Sequence, residues 1–159
     1  MLTTKELLTT QFEATYNEEN WFKPLKDVLS DLTDEEFKWK ENDDMHSIRQ
    51  LVIHLLFWNE RYYNRFKNTP MPPAGPFTDR DPTFDDNDLS KEELIKNFYN
   101  MMDGFIKEMK NAPEEKFEER VFTEPDRQDL WWESIHCINL HNAYHLGQMM
   151  VVKKQIRNK

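Results

Sequence analysis

One cysteine, Cys137, stands in 159 residues, which excludes an intramolecular disulfide, a disulfide scaffold and a cysteine-rich zinc cluster. Basic charge is also in deficit. Twenty-one Lys and Arg face thirty Asp and Glu, a net charge of −9 with histidine neutral, so the chain lacks the footprint that nucleic acid or an anionic membrane requires. No run of eighteen apolar residues occurs, which excludes an ordinary transmembrane helix. The opening residues Met1-Leu2-Thr3-Thr4-Lys5-Glu6 start a polar helix rather than a basic segment with an apolar core, and the expected location is the cytoplasm. Internal repeats, low-complexity tracts and a convincing strand pair are absent as well. What remains fits one domain over residues 1–159, long enough to bury a core without a staple, so a bound metal would serve function rather than folding.

Helix signals fill most of the chain. Thr3 to Glu6 forms an S/T-x-x-E capping box, and Leu7, Leu8, Phe12, Tyr16, Phe22, Leu25 and Val28 follow at spacings that predict a first helix reaching about Leu29. Thr33 with Glu36 caps a short turn. Ser47 with Gln50 starts a second long helix running to about Lys67, and Ser90 with Glu93 starts a third that stops before Pro113. Residues 113–127 read as irregular, and a last helix spans about Gln128 to Arg157, with Lys153, Lys154 and Arg157 placed where the helix dipole favours cations. Between the second and third helices, Asn68 to Asp88 holds five of the eight prolines and cannot be regularly helical. A crossover of that length lets consecutive helices run parallel, and loops of this kind shape binding sites. The expected fold is all-α, a four-helix bundle with a long crossover loop between helices 2 and 3.

The most informative run is His141-Asn142-Ala143-Tyr144-His145-Leu146-Gly147-Gln148. Histidines four apart on a helix lie on one face, a turn apart, where both can hold one ion. His54 sits upstream in the apolar run from Leu51 to Trp58. The stripe on the last helix reads Ser134, Cys137 or Ile138, His141, His145, Gln148 and Val152. On the second helix it reads Ser47, Gln50 or Leu51, His54, Trp58, and Arg61 or Tyr62. Three imidazoles buried together need partners, and one divalent ion satisfies all three. Cys137 lies two turns from His145, about 12 Å of rise, too far to share that ion, and reads as a small buried hydrophobe. His136 faces elsewhere and His46 precedes the helix cap, so neither is assigned as a ligand.

Taken together these residues resemble the DinB/YfiT family of metalloenzymes, whose members carry one histidine on the second helix of a four-helix bundle and an H-x-x-x-H pair, often followed by Gly-Gln, on the last. Here His54, His141, His145, Gly147 and Gln148 match in order and spacing. The resemblance implies a divalent ion, nickel or zinc, on His54, His141 and His145. It also implies a small-molecule substrate, with a thiol-dependent S-transferase using a low-molecular-weight thiol such as bacillithiol or mycothiol as the leading activity, and a homodimer. A metal-dependent hydrolase is the alternative within enzymes, and a non-enzymatic stress-related binding or interaction protein the alternative outside them. No Asp or Glu adjoins the histidine pair in sequence, so the general base is unassigned.

Overall fold

The computed structural model describes residues 1–72, 74–75, 81–124 and 126–158. Its helices are α1 (Thr4–Tyr16), α2 (Leu25–Ser30), α3 (Asp34–Lys38), α4 (Ile48–Phe66), α5 (Lys91–Asn111) and α6 (Trp131–Arg157), with 3₁₀ turns at Pro82–Phe84 and Glu114–Glu118. The four expected capping boxes are all formed. In each, the hydroxyl of Thr3, Thr33, Ser47 or Ser90 accepts the backbone N–H three residues on, and the Glu or Gln there reaches back.

Two boundaries differ from the expected ones. The first helix ends at Tyr16 and a separate α2 starts after Pro24, which has no N–H and whose ring would strike the carbonyl of Asn20 in a continuous helix. Trp21 is fully exposed in the break, whereas Leu25 and Val28 are buried from α2. Of the expected stripe Leu8, Phe12, Tyr16, Leu25 and Val28 are buried, whereas Leu7 and Phe22 are exposed, and the continuous helix does not form. The last helix starts at Trp131 rather than Gln128 because the preceding chain turns back: Arg120 and Leu130 form an isolated bridge, Val121 N–H donates to the Asp129 carbonyl and Trp131 N–H to that of Glu119.

The four long helices close a ring in which α1 and α4 each touch both α5 and α6. Phe12 meets Phe105 and Tyr16 meets Tyr99, so α1 and α5 run antiparallel. Trp131 at the start of α6 lies against Phe66 at the end of α4, so these two are antiparallel as well. By contrast α4 and α5 are parallel: Arg49 at the start of α4 reaches Asp86 and Asn87, just before α5, while Phe66 meets Phe105 further along both. The long crossover permits this arrangement. Its residues 73 and 76–80 lie outside the described part, as do Pro125 in the irregular stretch and Lys159 at the end of the expected domain. The core is one aromatic and methionine-rich cluster that includes Phe12 from α1, Leu51 and Leu55 from α4, Phe98, Met102, Phe105 and Met109 from α5, and Leu146 and Met149 from α6. Among the described residues no helix is long and apolar enough to cross a membrane.

Candidate metal centre

α4 and α6 bring His54 against the pair on α6. His54 Nε2 lies 2.9 Å from His141 Nε2, and His145 Nε2 lies 3.0 Å from the same atom. One nitrogen from each ring falls within 4.8 Å of the others. Nitrogens bound at about 2.1 Å from one tetrahedral ion sit roughly 3.4 Å apart, so small ring movements suffice to accommodate one.

The outer nitrogens decide what the inner ones can do. His145 Nδ1 is 2.6 Å from Gln148 Oε1, which only accepts, so Nδ1 carries the proton and Nε2 presents a lone pair. Gln148 is itself held by donating its amide to the Tyr144 hydroxyl at 3.1 Å. His54 Nδ1 is 2.5 Å from Thr83 Oγ1. That hydroxyl donates to Asp81 Oδ1 at 2.6 Å, so it accepts from His54, whose Nε2 is again a bare lone pair. Both lone pairs point at His141 Nε2. Its one proton can serve only one of them, and the other is left facing nitrogen. A divalent cation resolves this conflict for all three rings, and the carboxylate-linked outer shell is the one that metal-bound imidazoles commonly have.

The protonation balance agrees. Burial, with the neighbouring rings of His145 and His141, pushes the pKa of His54 down to about 3, and burial with His145 pushes that of His141 down to about 4. Burial also lowers His145. At neutral pH the three rings are therefore neutral, the form in which imidazole can bind a metal.

Local structure fixes these positions. An amide pair buried just beyond the cluster joins the two helices. Asn59 donates to Asn142 Oδ1 at 2.8 Å and Asn142 donates back at 3.0 Å, while both are fully buried. This sets the register that turns His54 toward His141. The crossover is pinned to α4 by the buried Arg49, which donates to Asp86 at 2.5 Å and to the Asn87 carbonyl at 2.6 Å, and by Gln50, which donates to the Phe84 carbonyl. The Phe84 ring lies flat between His54, at 3.9 Å, and His46, at 3.8 Å.

The structure thus gathers His54, His141 and His145 and leaves His136 outside. His46 is no member of the cluster, but its loop folds back to stack on Phe84. Cys137 is exposed rather than buried, a correction to its reading as core; the neighbouring Ile138 takes the inward position on α6. Asp81, Thr83 and the Asn59–Asn142 pair were not singled out from sequence. Asp81-Pro82-Thr83 carries a turn signal, since the aspartate caps the Thr83 N–H at 2.9 Å, and two asparagines on apolar helix faces mark buried polar partners. A cavity of about 200 Å³ bordered by Trp58, Tyr62, Cys137 and His141 opens on the cluster, and another of about 410 Å³ is bordered by His46, Tyr144, Gly147 and Gln148 but by none of the three histidines.

Fold and site define an all-helical protein with a three-histidine centre shared by two helices and braced by a crossover. A family model described as the DinB superfamily matches residues 18–149, and the chain belongs to that superfamily. No curated protein matches it.

Proposed function

We propose that the protein is a metal-dependent enzyme holding one divalent ion, nickel or zinc, on His54, His141 and His145, and that it acts as a thiol-dependent S-transferase. The observation that carries the metal is the meeting of lone pairs at the three Nε2 atoms. Imidazole sets of this kind suit nickel and zinc. A bound divalent ion would supply Lewis acidity that lowers the pKa of a thiol at its open position.

Three neutral rings leave the charge of a dication uncompensated, which favours an anionic further ligand over a neutral one. Residues of the chain do the rest. Thr83 and Gln148 hold two rings in their tautomers, and Phe84 fixes the plane of His54. The cavity beside His141 gives a small-molecule substrate an approach to the centre. In the transfer the thiol proton leaves to solvent, a sulfur lone pair forms the new carbon–sulfur bond, and the leaving group departs with the electron pair of the broken bond and takes up a proton.

Thiol titration of the cobalt-substituted protein tests this reading. A sulfur-to-cobalt charge-transfer band near neutral pH is the expected result. Cobalt binding without that band for any small thiol would turn the assignment to a hydrolase activating water, and failure to bind cobalt would favour a non-enzymatic binding protein.

A further inference from the structure

A third cavity, of about 600 Å³, opens beside the small one at His141, and Trp58 and Tyr62 line both. Its charged lining is unusual for a chain of net charge −9: Arg61, Arg65 and Arg127 against the single carboxylate of Glu124. The arginines are held in place by aromatic rings rather than by strong ion pairs. Arg127 and Arg65 lie over the Phe122 ring at 3.2 and 4.5 Å, and Arg61 lies over Phe57 at 5.4 Å. Arg61 is 7% exposed and donates to the Pro72 carbonyl; Arg127 touches Asp129 at 3.4 Å. No carboxylate forms an ion pair with Arg61 or Arg65 among the described residues. The buried Arg61 guanidinium meets a backbone carbonyl but no carboxylate among the described residues, and an oxyanion would complete its fork.

The position is as informative as the charge. His54, Trp58, Arg61 and Arg65 follow one another at helical spacings of four, three and four along α4. Arg61 is about 10 Å of rise from His54 and Arg65 about 16 Å, the length of an ordinary small metabolite.

We propose that this arginine pocket binds the anionic group, a carboxylate or a phosphate, of a ligand whose other end reaches the histidine centre past Trp58 and Tyr62. The proposal rests on the metalloenzyme reading for that other end only. It narrows the substrate to an elongated anion.

The test compares three thiols of matched length on the cobalt-substituted protein: mercaptohexanoate, mercaptohexyl phosphate and the neutral mercaptohexanol. One or both anionic thiols should raise the charge-transfer band at a concentration at least about tenfold lower than the alcohol, the scale of one charge-assisted contact. Which anion leads tells carboxylate from phosphate. Arg65→Gln/Arg127→Gln should cut that advantage at least about threefold without weakening the alcohol; the buried Arg61 is kept so that the fold is preserved, and with it a residual advantage. Equal binding of all three thiols, or an advantage that the double substitution leaves undiminished, overturns the pocket and leaves the metal centre standing. If no thiol gives a band, the thiol-transferase reading fails, and calorimetry of the metal-free protein with inorganic phosphate and glutarate decides the pocket alone: binding weakened in the double variant supports it, and no binding by wild type, or binding that the double variant keeps in full, overturns it.

Discussion

Thr83 shows how one residue outside the three-histidine cluster orients it. Its hydroxyl accepts from His54 Nδ1 and donates to Asp81, so Thr83→Val removes the hydrogen bonds that fix the His54 tautomer while keeping the side-chain shape. We expect metal affinity to fall roughly 10- to 100-fold with an unchanged melting temperature for the metal-free protein, measured by chelator competition. Unaltered affinity would mean that the Asp81–Thr83 chain is only a loop contact. The three histidines themselves were legible in the sequence, because two are one turn apart on a helix and the third interrupts an apolar run. Thr83 was not, since it meets His54 across 29 positions by the path of a loop that no local pattern specifies. Cys137 and Ile138 show the limit of periodicity even within a helix: both fit the stripe, and packing chose the isoleucine.

The starts of α1, α3, α4 and α5 were legible for an equally local reason, each capping box being written within four residues. The failure at Pro24 arose where two local signals competed, an apolar spacing that continues and a proline that cannot. Register between α4 and α6 was not legible at all, and it depends on the Asn59–Asn142 pair. Asn59→Ala leaves the Asn142 amide buried and half-paired, and should cost about 1–3 kcal/mol in chemical denaturation. Asn59→Leu/Asn142→Leu, which removes both amides, should recover much of that loss, yet still weaken metal binding because nothing then specifies the turn at which the helices meet. A double variant that regains stability and binds metal as wild type would show that apolar packing alone sets the register.

For the whole molecule the centre has a cost that pH reveals. His54 and His141 titrate well below the value of about 6.5 that they take in an unfolded chain, and burial lowers His145 as well, so as pH falls below that value the unfolded state gains protons that the folded state refuses. The metal-free protein should lose stability between pH 6.5 and about 4, by about 1.4 kcal/mol per pH unit for each such proton, and His54→Leu should flatten that part of the profile. A second loss belongs to lower pH. There Asp31 and Glu36, held down to about 2 by hydrogen bonds from Lys153 and Arg157 respectively, become protonated and release the end of α6 from α2 and α3. A flat profile from pH 6.5 to 4 would show that the rings are more open to water than their burial implies. The central claim is that three imidazoles from two helices hold one ion, and its most direct test is metal binding by protein purified without a histidine tag, read by calorimetry and X-ray absorption. One nickel or zinc per chain, with three imidazole nitrogens in its shell and binding abolished in His141→Ala without loss of the helical fold, is the result predicted. No binding by the wild type, or binding that His141→Ala leaves intact, would contradict it.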